Sequence, residues 1–380
     1  MKTAILTFLH ACNYGAVLQC FALNKAIARM GGAPVTIDYW PDLYRKRYYM
    51  DTLPPHPSFL PSLRHPRRWW RAWKQWRQTK AYKKLSDIRN LSFESFIARH
   101  IPHTQTTYRT LLDISAETWD IPVWITGSDQ VWCPDNCAFA DPVFFLDFPL
   151  PAEARRYSYA ASFGVRNLAT EHKEEYKRRL APFCERSVRE ESGAAILREL
   201  GFEAAPVHCD PTLLLSQEDW NAIASPARPK PYILIYYVTT PDSLFPIAER
   251  LRRETGAEIV ALSTYQDSAI RRLKNCRVLT ESSPEEFISL FRHADYVLTN
   301  SFHGTVFSTI YHKPFLTDTE ATGKPNTRIL NLLEKLQLTE RVLCRGTDIR
   351  TAIDWDRVQQ QTEQLRRPSL DYLRRITAGN

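Results

Sequence analysis

The chain has 380 residues, 44% hydrophobic and 24% charged. That is ordinary globular composition, which excludes wholesale disorder and, at about 150 residues per domain, predicts two domains. The longest apolar run, Tyr232 to Val238, is too short to span a bilayer. The net charge of +8 is local: Arg64 to Lys84 holds nine Lys and Arg and no acid, so the remainder is near neutral and the basic balance argues for no nucleic-acid partner.

In chain order, Ala4 to Phe8 reads as a short buried strand, which is preferred over a signal segment because His10 interrupts the apolar stretch. Asn13-Tyr14-Gly15 is a turn. Ala16 to Met30 has helical periodicity and stops at Gly31-Gly32, and Val35 to Tyr39 is a second strand, completing one βαβ unit. A proline-rich excursion from the core follows. Next comes the basic segment, in which Trp69, Trp73 and Trp76 share one helix face. Val123 to Thr126 and Tyr157 to Ser162 are strands, and Ser187 to Ser192 reads as a strand end followed by a capped helix start. Past Pro206 to Leu215 a fresh series begins. Tyr232 to Val238, Glu258 to Leu262 and Tyr296 to Asn300 are strands; Leu244 to Thr255, Ser283 to His293 and Gly304 to His312 are helices. Trp355 to Ile376 is a polar helix.

Two alternating series predict an α/β protein with two Rossmann-like, mainly parallel domains. The N-terminal one covers 1–205, with the excursion at about 41–95, and the C-terminal one 206–350. A C-terminal helix over 351–380 is expected to pack back on the N-terminal domain. Glycine is scarce: apart from Gly31-Gly32, no two lie closer than eight residues, which excludes G-x-G-x-x-G and the P-loop. Eight cysteines lack a ligand set at zinc spacing, so no metal is expected, and the thiols are read as reduced in a cytosolic protein.

Ligands in such folds bind beyond the carboxyl ends of strands. Four loops qualify. Asn300-Ser301-Phe302-His303-Gly304 joins an apolar strand to a helix whose N-terminus suits a phosphate or carboxylate, and Gly304 allows close backbone approach. There His303 is either a functional group or a satisfied core histidine. Asn13 and Tyr14 open the first helix and are either ligand-binding or a well-formed turn. Asp129 and Gln130 are able to bond sugar hydroxyls, or else Asp129 is a cap. Arg189 either clamps an anion or pairs with Glu190 or Glu191. The Trp/basic segment, 64–84, is either an interfacial helix for anionic lipid or a solvated face on its own domain.

The ordered set Asn13-Tyr-Gly-Ala-Val-Leu-Gln19, Gly127-Ser-Asp-Gln-Val-Trp132, Tyr159-Ala-Ala-Ser-Phe-Gly164, Val188-Arg-Glu-Glu-Ser-Gly193, Asp210-Pro-Thr-Leu-Leu-Leu215, Asn300-Ser-Phe-His-Gly304 and Lys313-Pro-Phe315 resembles the polysaccharide pyruvyl transferase family. The resemblance implies a fold like the GT-B glycosyltransferases. It implies phosphoenolpyruvate as donor, no cofactor, and a bacterial surface glycan or lipid-linked oligosaccharide as acceptor, with a pyruvate ketal as product. It places Ser301, Phe302 and His303 on the donor and Arg189 opposite them. Relatives differ at the position of Phe302, where a backbone contact is the expectation. His303 is the expected acid or base. Lys313, Lys324 and Arg328 are further donor-side candidates, and Asn13 and Asp129 are acceptor-side ones. The expected location is the cytoplasm, peripheral at the inner face of the membrane through 64–84. A nucleotide-sugar glycosyltransferase and a non-catalytic glycan- or membrane-surface binding protein are the rival readings. Oligomeric state is not legible.

Overall fold

The computed structural model describes residues 1–49, 66–135, 140–226, 231–263, 270, 273, 275–321, 323, 326–344 and 346–378. Most of the proline-rich excursion, Arg64, Cys137 and Lys324 therefore lie outside the described residues.

The N-terminal half runs β1 (Lys2–Leu6), α1 (Tyr14–Arg29), β2 (Ala33–Thr36), α2 (Asp42–Tyr48), α3 (Pro66–His100), α4 (Leu111–Ser115), β3 (Val123–Thr126), β4 (Arg155–Ser158), α5 (Thr170–Leu180) and α6 (Glu191–Glu199). The C-terminal half runs α7 (Gln217–Asn221), β5 (Tyr232–Tyr236), α8 (Phe245–Thr255), β6 (Glu258–Leu262), β7 (Cys276–Leu279), α9 (Pro284–His293), β8 (Tyr296–Thr299), α10 (Phe302–Ile310), β9 (Phe315–Thr317), α11 (Thr327–Lys335) and α12 (Trp355–Thr377). Each half has one parallel sheet, ordered β2-β1-β3-β4 and β7-β6-β5-β8-β9. This is the expected pair of Rossmann-like layers. Sheet strands that bury both faces read as continuous apolar runs, which is why Val123–Thr126 and Tyr232–Tyr236 were legible; every residue of both is buried.

Isolated bridges carry the first sheet outward from Ala161 to Val188 and on to Val207. The helix start after Val188 differs from its expected form. Glu190 occupies the N-cap of α6 but makes no capping bond, because its carboxylate accepts from Arg189 and Ser162 instead.

One apolar core joins the halves. Helix α1 is buried on nearly all sides, and its Tyr14, Val17, Leu18 and Phe21 pack with Phe287, Ile288 and Phe291 of α9 and Phe302 and Phe307 of α10. Tyr14 stacks on Phe287 and donates its hydroxyl to the Ser282 carbonyl at 2.8 Å. Burying one such aromatic is worth about 1.5–3 kcal/mol, so this seam holds the halves together strongly. The chain then returns: α12 buries Tyr372, Leu373 and Ile376 against Ile5, Ile27, Val123 and Ile125, and Tyr372 donates to the Ser158 carbonyl at 2.9 Å.

Candidate active site

In each sheet the strand order reverses once, between β1 and β3 and between β5 and β8. A crevice opens beyond the carboxyl ends of the strands at such a reversal. Here both crevices face one cavity of about 280 Å³, near the lower end of small-molecule sites at about 300–1,000 Å³. Phe8, Asn13 and Ala16 line it from the β1 side, Asp129 and Gln130 from β3, Val238 from β5, and Ser301, Phe302 and His303 from β8; Tyr44, Asn326 and Arg328 complete it. A second cavity of about 890 Å³ shares Gln130, Val238, Asn326 and Arg328 and adds Arg166 and Asp318.

Local bonding fixes each wall. Thr299 Oγ1 donates to the Tyr236 carbonyl at 2.6 Å and accepts from Ser301 N at 3.0 Å. Ser301 then caps α10, its hydroxyl accepting from Gly304 N at 3.3 Å. The next-door Asn300 ties down the loop after β5, accepting from Val238 N at 2.9 Å and donating to the Thr239 carbonyl at 2.6 Å. The backbone N–H groups of Phe302 and His303 begin the helix without a protein acceptor among the described residues, leaving donors and partial positive charge for an anion. Across the cavity, Asn13 caps α1 by accepting from Gly15 N at 3.0 Å.

His303 lies against Gly15. A Cβ at that position would stand 1.9 Å from His303 Nδ1, so only glycine lets α1 approach the imidazole. The ring's Nε2 faces Asp210 Oδ2 at 3.5 Å, and the side chain is 9% exposed. Asp210 also accepts from Arg189 Nη1 at 2.8 Å, from Thr212 N at 3.0 Å and from Thr212 Oγ1 at 2.7 Å. Burial opposes its ionisation, but His303, then Arg189 and Thr212, outweigh burial and hold the carboxyl well below the usual range.

Several expected site residues sit elsewhere. Arg189 lines neither cavity. Its side chain is 2% exposed and engages Glu190 at 3.0 Å, Asp210 at 2.8 Å and Asp129 at 3.5 Å, with the Phe302 ring centroid 4.9 Å from its guanidinium carbon. A cation met by three carboxylates underlies the site and is not a free anion clamp; Glu190, Asp129 and Asp210 overcome burial and raise its pKa. Phe302 lines the cavity and covers this guanidinium. Tyr14 does not reach the cavity, because its ring is committed to the seam between the halves. Gly304 does not line it either. The close approach it permits is to Thr299 and Tyr236, where a Cβ would fall 2.2 Å from Thr299 Oγ1. Lys313 follows the far end of α10 and precedes β9, where the nearest charge felt is that of Asp295, at the amino end of β8. That edge is opposite the cavity.

Arg328 is the cation that does line both cavities. It makes no hydrogen bond or ion pair to the described residues, and burial followed by the charge of Arg189 lowers its pKa; arginine stays protonated in proteins nonetheless. Asn13, Asp129, Gln130, Ser301 and His303 line the smaller cavity as well. Sequence reasoning did not single out Phe8, Ala16, Tyr44, Val238 or Asn326. Val238 carried a signal, since it follows a strongly apolar strand at its carboxyl end.

Among the described residues no group of three or more His, Cys, Asp or Glu could hold a metal ion, and no helix is long and apolar enough to cross a membrane.

Similar solved structures include the S. aureus MnaA–UDP co-structure, at 13% identity over 99% of this chain and 91% of that one with a TM-score of 0.46. The UDP-GlcNAc 2-epimerase from Methanocaldococcus jannaschii matches at 11% identity over 100% of both chains with a TM-score of 0.47. The glycosyltransferase SnogD from Streptomyces nogalater matches at 12% identity over 100% and 99% with a TM-score of 0.39. No curated protein matches the chain. The family model for polysaccharide pyruvyl transferase matches residues 13–317, a span that takes in β2 to β9 and most of the cavity lining but not β1, Phe8, Asn326 or Arg328, and the chain belongs to the polysaccharide pyruvyl transferase family.

Proposed function

We propose that this protein transfers pyruvyl from phosphoenolpyruvate to two hydroxyls of a sugar residue in a surface polysaccharide or its lipid-linked precursor. The observation that carries the reading is the meeting, in one cavity, of His303, Arg328, which has no ion-pair partner among the described residues, and the N-terminus of α10. The donor is a compact polyanion. Arg328 and the Phe302 and His303 N–H groups supply its positive counterpart.

Ketal formation needs a proton delivered to C3 of the donor, which makes C2 electrophilic. A sugar hydroxyl then bonds to C2 and loses its proton, phosphate leaves with the C–O bonding pair, and a second hydroxyl closes the ring with loss of its own proton. His303, with Asp210 facing its Nε2, is the proton donor in this reading. Asp129 lines the same cavity on the N-terminal side and is the carboxylate that receives a hydroxyl proton. Arg189 acts indirectly, by holding Asp210 and Asp129 in place.

Calorimetry with phosphoenolpyruvate, UDP-sugars and GDP-sugars tests the donor. Saturable phosphoenolpyruvate binding is expected, weakened about tenfold to a hundredfold in Arg328→Ala. Binding of a nucleotide sugar with none of phosphoenolpyruvate would replace this reading with glycosyl transfer. His303→Ala should retain donor binding and lose turnover by about 10²–10⁴-fold; near-native turnover in a folded variant would remove His303 from the chemistry.

A further inference from the structure

Helix α3 has two faces of opposite use. Successive residues turn by about 100°. Phe93, Phe96 and Ile97 point one way and join the core shared with α1 and α9. Trp73, Lys84 and Leu91 point the other way, flanked by Trp70, Arg77, Lys80 and Ile88. Trp70 is 54% exposed, Ile88 44% and Leu91 64%. No residue from Arg67 to Leu85 is buried, so about 28 Å of helix, at 1.5 Å per residue, stands clear of the core.

The cations on this face are placed by the rings. Lys74 Nζ lies 5.3 Å from the Trp70 ring centroid, the Arg77 guanidinium 4.8 Å from that of Trp73, and Lys80 Nζ 5.2 Å from that of Trp76. The first acid on the helix is Asp87, already paired with Lys83 at 2.8 Å. Indole rings with cations at their level match a bilayer interface, where rings enter the headgroup boundary and cations meet lipid phosphate. We propose that the outward face of α3 is a docking surface for an anionic lipid bilayer. Charge decides against a symmetric dimer through this face, which would lay cations on cations. The exposed Ile88 and Leu91 favour a bilayer over nucleic acid, because an acyl boundary can bury them and a phosphate backbone cannot.

Flotation of the full chain with vesicles tests this independently of the donor. Strong binding is expected to phosphatidylcholine vesicles containing phosphatidylglycerol, falling as salt is raised, with little binding to phosphatidylcholine alone. Each cation near an anionic surface is worth about fivefold in partitioning, so Arg77→Gln, Lys80→Gln and Lys84→Gln together should weaken binding about 100-fold. Trp70→Ala with Trp73→Ala and Leu91→Ala should also abolish flotation. Both variants should keep wild-type donor binding. Equal binding to neutral vesicles, or binding unchanged in either variant, would overturn the proposal. So would absence of binding to the anionic vesicles, and a dimer or an RNA complex that the same variants lose would then name the face's real partner.

Discussion

Replacing Gly15 by alanine sets two effects against each other. Alanine is favoured over glycine in a helix interior by about 0.5–1 kcal/mol; Gly15 is the second residue of α1, where the gain is smaller, and it has no positive φ to protect, so helix propensity alone predicts a protein at least as stable. The added Cβ, however, would lie 1.9 Å from His303 Nδ1 and 2.4 Å from its Cγ, and the buried imidazole has to retreat by about 1.5 Å to restore van der Waals contact. Overpacking of a buried site costs about 1–3 kcal/mol, so the net expectation is a loss of about 1–2 kcal/mol. If His303 is the proposed proton donor, a shift of that size should also cost about 10²-fold in turnover. Denaturant unfolding of wild type, Gly15→Ala, His303→Ala and the double variant isolates the contact. With the imidazole gone, Gly15→Ala should become neutral or stabilising, giving a coupling of about 1–3 kcal/mol. Higher stability of Gly15→Ala in the presence of His303, or a coupling near zero, would refute the packing of α1 on this histidine.

Two arginines should separate by readout. Arg189→Ala leaves Glu190, Asp210 and Asp129 without their shared cation and should cost about 3–5 kcal/mol of stability, whereas Arg328→Ala should change stability by no more than about 0.5 kcal/mol; comparable melting of the two variants would contradict this division. His208 accounts for a pH effect away from the cavity. It lies 2.7 Å from Ser187 Oγ and beside the rings of Tyr159 and Tyr372, and burial, then Arg375, pushes its pKa down to about 4. The unfolded chain binds this proton near pH 6.5 and the folded protein only near 4. Stability is therefore whole above about 6.5 and falls as pH drops through that window, by about 3 kcal/mol at its acid end. His208→Gln should flatten the fall, and an unchanged slope would refute the assignment.

The sheet interiors were legible because strands buried on both faces carry unbroken apolar runs, and the helix expected over Ser283 to His293 is α9, whose start is closed by a capping box of Ser283 and Glu286. The strands β7 and β9 were not, since Cys276–Leu279 is short and partly exposed and Phe315–Thr317 has three residues. The loop Asn300–His303 was readable because polar residues interrupt an apolar strand–helix pair. What periodicity withheld was direction. It placed Tyr14 and Asn13 side by side at a helix start, but only the second sheet decides that Asn13 faces the cavity and Tyr14 the seam. Arg189 carried a visible charge, yet Asp210 and Asp129 lie 21 and 60 residues away in sequence, and no local pattern shows that they consume it.

The same long-range pairing bears on how the site works. His303 comes from the C-terminal half, Gly15 and Asn13 from the N-terminal half, and Asp210 from the segment between them. The groups around the cavity therefore acquire their spacing only when the halves are docked. Tyr14 on Phe287 and Ser282, together with the aromatic core around α1, fixes that docking through contacts that involve no ligand. On the proposed reading, a donor entering this cavity would meet the imidazole already facing Asp210 at 3.5 Å and the helix N-terminus already formed. Interaction with the anion would then not be diverted into assembling the site, and contacts that strengthen as charge develops would remain available to speed the proposed reaction.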